Sequence, residues 1–225
     1  MRIQWFGQSA FALSDGEQTV FIDPFGDMSP LSGRGLQFDY PPIEDVSADL
    51  LLVTHEHLDH NGVEAIGGDP AVLRSTAGRH ESPVGEVVGV NSEHDPVAGT
   101  ERGPNTIFVF SLDGVRVAHF GDFGQTALRR EQLAAIGDVD LLIVPVGGGP
   151  TVDAAEAYEI VQALKPRWVI PMHYRTPKIG FLDTADAFLE KFGDDVHRAP
   201  EAALDTAELP SADSGGPVAV VPAVP

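Results

Sequence analysis

The sequence predicts a single α/β domain, a strand-rich first half followed by a second half in which strands alternate with helices. Three observations lead there. The chain has 225 residues, 43% of them hydrophobic and 21% charged, which is the size and balance of one globular domain with a sizeable core. Short apolar runs bounded by turn residues recur from Ile3 to Phe120, each of strand length. Beyond Phe120, apolar runs are separated by stretches with helical periodicity and recognisable caps.

Taken in order, Ile3 to Phe6 and Phe11 to Leu13 are the first strands, and Asp15-Gly16 is a turn leading to a third at Thr19 to Asp23. Residues 24–42, rich in Pro, Gly and Ser, form a loop long enough to suggest a functional role. Leu50 to Thr54 and Ala71 to Ser75 are further strands. Thr106 to Leu112 and Val115 to Phe120 flank Asp113-Gly114, a hairpin signal because such a turn wants positive φ at its centre. Leu141 to Val146 and Trp168 to Pro171 are apolar throughout and read as buried strands.

Three helices are predicted. The first spans Thr126 to Ile136, closed by Gly137 as a left-handed C-terminal residue. The second runs from Asp153 to Lys165. Asp153 caps it with Glu156 reaching back, Ala154, Ala157, Tyr158, Val161 and Leu164 share one face, and Pro166 stops it. The third spans Thr184 to Phe192 and ends at Gly193. Residues 201–216 read as a polar linker to a last strand, Val218 to Val221. The expected division is therefore a main body over 1–200, with 201–225 as a linker and short strand of the same domain.

Charge and composition narrow the function. Fourteen Lys+Arg against 34 Asp+Glu give a net charge of −20, so the surface repels phosphate backbones, and no basic run offers a groove for nucleic acid. There is no cysteine, so a bound metal must be held by His and carboxylate. No apolar run reaches 18 residues, and the amino terminus lacks a leader-like stretch, so the expectation is a cytoplasmic protein with no membrane partner.

The chemistry concentrates in His55-Glu56-His57-Leu58-Asp59-His60, three imidazoles and two carboxylates directly after an apolar strand. If the chain turns tightly there, His55 and His57 converge on one point while Asp59 and His60 are displaced onto a second. Imidazole nitrogen and carboxylate oxygen are ligands that divalent metals such as zinc accept. The competing reading is a solvated polar loop, which dense histidine clusters seldom are.

This His-x-His-x-Asp-His pattern after a buried strand resembles the signature of the metallo-β-lactamase superfamily. Other stretches match in the expected order: Phe21-Ile22-Asp23-Pro24, Asn91-Ser92-Glu93-His94-Asp95, Ala118-His119-Phe120-Gly121-Asp122 and Pro171-Met172-His173-Tyr174. The resemblance covers about residues 1–195 and implies a four-layer αββα sandwich with the site at one edge between two sheets. It implies that His55, His57 and His94 hold one metal, Asp59, His60 and His173 a second, and that Asp122 bridges them. Arg102-Gly103-Pro104-Asn105-Thr106, Gly121-Asp122-Phe123-Gly124 and Val144-Pro145-Val146-Gly147-Gly148 are similar to the compact branch containing ascorbate-6-phosphate lactonase and other metal-dependent hydrolases.

The expected activity is hydrolysis of a small ester, lactone or phosphodiester by a hydroxide shared between two divalent ions, with zinc the default and manganese or iron fitting the same ligands. Asp59 and Asp122 are the carboxylates assigned to catalysis. A redox branch of the family carries Glu where this chain has His57, which favours hydrolysis here. Alternatives are a nuclease, disfavoured by the charge, and a non-catalytic metal- or ligand-binding protein, disfavoured by the complete ligand set.

The remaining side chains divide simply. His119 alternates away from Asp122 along its strand and is expected to pack, while His80 and His197 belong on the surface. Asp23 is placed to accept a hydrogen bond from a ligand histidine or a loop amide, with a plain turn residue as the rival reading. Glu56 is expected to be solvated, and the Gly147-Gly148-Gly149-Pro150 run to be a tight turn beside the metal pocket. Arg175 and Lys178 follow His173 closely, and with Arg34 and Arg102 they could form an anion-binding mouth for a small-molecule substrate.

Overall fold

A computed structural model of the chain describes residues 1–33, 35–211 and 215–225. Two mixed sheets face one another. The first has six strands: β1 (Arg2–Gly7), β2 (Ala10–Ser14), β3 (Thr19–Ile22), β4 (Leu50–Val53), β5 (Ala71–Arg74) and, joining from far along the chain, β13 (Ala203–Asp205), in the order β13-β1-β2-β3-β4-β5. The second has eight: β6 (Gly78–Ser82), β7 (Gly85–Glu93), β8 (Pro104–Leu112), β9 (Val115–His119), β10 (Leu141–Pro145), β11 (Trp168–Met172), β12 (Val196–Arg198) and β14 (Val218–Val221), in the order β12-β14-β11-β10-β9-β8-β7-β6.

Side-chain alternation assembles the layers. In β4, Leu50 and Leu52 enter the core between the sheets, while Leu51 points to the opposite face and joins a second cluster with Phe21, Phe25, Phe38 and Tyr40. The segment after β3, including the one-turn helix α1 (Ser29–Ser32), thus covers the outer face of the first sheet. Helices α2 (Arg130–Ile136) and α3 (Ala154–Leu164) pack on the second sheet, and α4 (Asp186–Leu189) packs against α3. The predicted αββα order holds, with the outer layer on the first sheet mostly loop.

The central strands β9, β10, β11 and β14 run parallel. Leu141–Pro145, Trp168–Met172 and Val218–Val221 are buried at every position, as strands covered on both faces must be. The Asp113-Gly114 turn has φ of 52° and 72°, the two positive values its hairpin requires, and Leu112 pairs with Val115.

Four expectations are corrected. The first helix begins at Arg130, not Thr126: the Gln132 carboxamide accepts from the Arg129 amide at 2.8 Å and Gln125 ties to the Ala127 carbonyl, which leaves 126–129 as a capping loop. Gly137 has φ 66° and ψ −154°, a glycine-only region other than the left-handed helical one. The third helix is one α-turn, Asp186–Leu189, continued by a 3-10 turn, Glu190–Phe192. Within the supposed linker, Ala203–Asp205 pairs antiparallel with Arg2–Gln4 and closes the edge of the first sheet. The second helix keeps its capping box, and Lys165 ends it in the left-handed conformation, φ 48°; its buried positions are Ala157, Ile160 and Val161.

No helix among the described residues is long and apolar enough to cross a membrane.

Candidate metal centre

Five chain segments meet at one end of the sandwich, four arriving from strand ends. β4 delivers Thr54 and the His55–His60 loop, β7 delivers His94, β9 delivers Asp122 after a Gly121 turn, and β11 delivers His173. The segment after β10, residues 147–150, lies beside them. Carboxyl ends of parallel strands are where open α/β sheets place their ligands.

Asp122 is the convergence point. Its Oδ2 lies 3.1 Å from His94 Nε2, 3.2 Å from His173 Nε2 and 3.8 Å from His55 Nε2, while Oδ1 lies 3.2 Å from His60 Nε2. Asp59 Oδ2 is 3.6 Å from the same His60 nitrogen, and His57 brings Nδ1 within 3.1 Å of His55 Nε2. All seven sequence-predicted ligands are therefore in one cluster. Its tight subsets are His55, His57 and His94; His55, His60 and Asp122; and Asp59, His60 and His173, with donor atoms within 4.8 Å of one another in each.

The outer imidazole nitrogens determine what the inner ones can do. Thr54 Oγ1 donates its proton to Asp23 Oδ2 at 2.8 Å, so it accepts from His55 Nδ1 at 3.0 Å. His60 Nδ1 donates to Asp23 Oδ2 at 3.0 Å, and His94 Nδ1 to the Pro150 carbonyl at 2.9 Å. A carboxylate and a carbonyl can only accept, so in neutral rings the proton sits outside and the Nε2 lone pair points inward. Those inner nitrogens lie 3.1 to 3.8 Å from the Asp122 oxygens. His60 Nε2 and Asp122 Oδ1 are both buried without a hydrogen-bond partner. Nitrogen and oxygen donors fixed in this way fit divalent cations.

Electrostatics carry the same signature. Burial disfavours charge on His60, yet Asp122, Asp59 and Asp23 outweigh it and hold that imidazole well above its ordinary value. His55 and His57 are pushed down, first by burial and then by neighbouring imidazoles, chiefly His60 for the one and His94 for the other. Burial would raise Asp122 and Asp59, but the facing imidazoles overcome it and keep both carboxyls below the usual range.

Supporting groups explain the precision of the cluster. Asp23, at φ 50°, accepts from the Thr54 amide and hydroxyl as well as from His60, so the ligand-histidine reading of this residue is the one the geometry bears out. Asn105 Oδ1 accepts from the Asp122 amide at 3.1 Å, while its Nδ2 donates to the Phe120 carbonyl. The glycine run does border the pocket, through Pro150. His119 is packed: Nε2 donates to the Ser9 carbonyl at 3.1 Å and Nδ1 accepts from the Gly121 amide at 3.2 Å. His80 and His197 are half-buried on strands β6 and β12. Glu56 is exposed but pairs with Arg74.

This arrangement of strands and ligands has known relatives. The family described as beta-lactamase superfamily domain matches residues 2–173. The chain belongs to that family. Among beta-lactamase superfamily relatives it is 31% identical over 207 residues to the UPF0173 metal-dependent hydrolase of Thermococcus kodakarensis, covering 78% of this chain and 85% of the relative. The crystal structure of a Thermotoga maritima member of the metallo-β-lactamase superfamily superposes with a TM-score of 0.75 at 30% identity, covering 99% of both chains. The isothiocyanate hydrolase from Delia radicum gut bacteria shares the beta-lactamase superfamily fold with a TM-score of 0.66, at 15% identity over 85% of this chain and 91% of that one.

One site residue has no counterpart in the sequence reading. Gln8, fully buried in the turn between β1 and β2, donates from Nε2 to Asp59 Oδ2 at 3.1 Å. The stretch Gly7-Gln8-Ser9 reads as an ordinary polar turn, and only the fold brings it against a residue 51 positions away. The basic residues scatter. Arg175 is exposed and lines a cavity of about 390 Å³ with Tyr174 and Arg198. Lys178 lies in the short 176–179 turn, its amide donating to the Thr176 hydroxyl, and Arg102 sits on the loop organised by Asp95, while Arg34 lies outside the described residues.

Proposed function

We propose that this chain is a metal-dependent hydrolase of a small ester, lactone or phosphodiester, working through two divalent ions, with zinc the best match to a nitrogen-rich donor set. The observation that carries the reading is the set of four Nε2 atoms directed at the single buried carboxylate of Asp122. Relatives named as metal-dependent hydrolases support it. Two such ions, when bound, lower the pKa of water toward neutrality and stabilise the negative charge that develops on the attacked group.

The chain's own residues do the rest. His55, His57 and His94 would hold one ion and Asp59, His60 and His173 the other, with Asp122 between them. Asp23, Thr54 and the Pro150 carbonyl keep the outer imidazole nitrogens protonated and the rings fixed, so no reorganisation accompanies reaction. His57 and Asp59 are the less buried ligands and mark the side from which substrate enters. We assign the protein to the cytoplasm and its substrate to the anionic class: Arg175, two residues beyond the ligand His173, would grip a carboxylate or phosphate with paired hydrogen bonds.

The test is metal analysis of protein purified without chelator, together with a panel of esters, lactones and phosphodiesters. Two ions per chain and turnover of one class, abolished by chelation, is the expected result. Metal binding with no turnover across the panel would instead indicate a binding protein. For the anion assignment, Arg175→Ala should weaken a carboxylated or phosphorylated ester more than its neutral analogue, and equal effects on both would overturn it.

A further inference from the structure

Gln8 is unusual on three counts. It is a non-glycine residue at φ 51°, its side chain is fully buried, and its Oε1 has no hydrogen-bond partner. A buried carboxamide oxygen without a partner forgoes its hydration with no hydrogen bond in return, and a left-handed backbone adds to that cost. Both are tolerated where the surroundings require the residue.

What surrounds Gln8 is the half of the cluster formed by Asp59, His60 and His173. Its Nε2 donates to Asp59 Oδ2 at 3.1 Å, the same oxygen that lies 3.6 Å from His60 Nε2. Its backbone carbonyl accepts from the His173 amide at 3.4 Å and from Trp5 Nε1 at 3.1 Å. One residue thus touches two predicted ligands through two different groups, and the indole of Trp5 fixes its position. The amide orientation is determined by chemistry, since turning it over would set Oε1 against the carboxylate of Asp59. Neither His55, His57 nor His94 is bonded to Gln8.

We infer that Gln8 is a positioning residue for the Asp59–His60–His173 metal position, holding one Asp59 oxygen by its amide and the His173 backbone by its carbonyl. A carboxylate oxygen has lone pairs for both a cation and an N–H donor, so the contact directs Asp59 toward the ion without competing for it. Oε1 remains as a buried acceptor for a donor arriving with the ion, such as a water. Losing an outer hydrogen bond of this kind typically weakens metal affinity about 10–100-fold.

The inference rests on the two-ion reading above, and the experiment separates the two. Metal-free wild type and Gln8→Met, which keeps the length of the side chain and removes both polar atoms, are titrated with Zn2+ by calorimetry and with Co2+ by visible absorption. The expected result is two equivalents in wild type and, in the variant, one equivalent at wild-type affinity with the other weakened about 10–100-fold. A wild type that takes up a single ion overturns the two-ion reading. A wild type with two ions and a Gln8→Met variant that matches it in both affinities overturns the role of Gln8 alone. Should Gln8→Met fail to fold, Gln8→Asn, which keeps the polarity and withdraws the donor by one methylene, is read by the same two criteria.

Discussion

Asp23 Oδ2 lies 3.0 Å from His60 Nδ1, and both side chains are fully buried. The same carboxylate takes the Thr54 amide and hydroxyl at 2.8 Å each, so it fixes the start of the metal-binding loop and the tautomer of its last histidine together. Asp23→Asn keeps a side chain compatible with φ 50° but turns one acceptor into a donor. The expected outcome is a loss of about 1–3 kcal/mol in denaturant unfolding of the metal-free protein. Metal titration should show affinity weakened about 10–100-fold.

The pH dependence of metal uptake should be split between the two halves of the cluster. His55 and His57 are held below the ordinary imidazole value of about 6.5, so they are already free of protons at neutral pH and compete little with an ion. His60 is held well above it, so its proton must be displaced, and affinity there rises with pH until the raised value is passed. The sign for stability is opposite. The charged His60 stabilises the metal-free fold below about 6.5, and that contribution is lost as pH rises through its raised value. Equilibrium dialysis across the pH range should find one ion per chain bound first and a second only at higher pH.

Legibility followed the range of the interactions. The His55–His60 motif and the Asp113-Gly114 hairpin are written in consecutive residues, so both could be read directly. Strands β6 and β7 could not. β6 is a polar edge strand, and β7 is interrupted by Gly89, where a Cβ would lie 2.0 Å from the Thr76 carbonyl oxygen. Gln8 with Asp59 and His94 with Pro150 are separated by 51 and 56 positions, and no local pattern announces such pairs. Ala203–Asp205 is equally silent, since three residues carry too short a period to distinguish a closing strand from a linker.

Asp122→Asn should separate folding from function. In the metal-free protein the carboxylate pairs with the His60 imidazole that it helps hold protonated, an attraction a neutral amide gives up, while Asn105 still holds the backbone through the residue 122 amide. The thermal midpoint of the metal-free variant should therefore fall modestly below that of wild type while cooperative folding is kept. A neutral amide cannot bridge two cations, so metal stoichiometry should drop and turnover should fall by at least about 100-fold. Kinetics on the metal-reconstituted variant, alongside thermal unfolding of the metal-free one, check both halves.

Gly147 and Gly137 offer a paired test of how the strand ends set His173. A Cβ on Gly147 would lie 2.2 Å from the His173 carbonyl oxygen and 2.8 Å from the Tyr174 Cα, and both are backbone atoms that no rotamer change can move. The adjacent hydrogen bonds, Val146 amide to Met172 carbonyl and Asp183 amide to Gly147 carbonyl, tie the two segments together. Gly147→Ala must therefore displace the end of β11, where His173 sits. Gly137 has open space where its Cβ would be but adopts φ 66° and ψ −154°, so Gly137→Ala meets backbone strain alone, about 1–3 kcal/mol. Overpacking at Gly147 should cost about 1–3 kcal/mol, so the two variants should be comparable in denaturant unfolding. Zn2+ titration should distinguish them: Gly137→Ala keeps both ions at wild-type affinity, while Gly147→Ala weakens the one held by Asp59, His60 and His173. Equal retention in both would mean that the close approach of residues 147 and 173 does not govern the ligand's position.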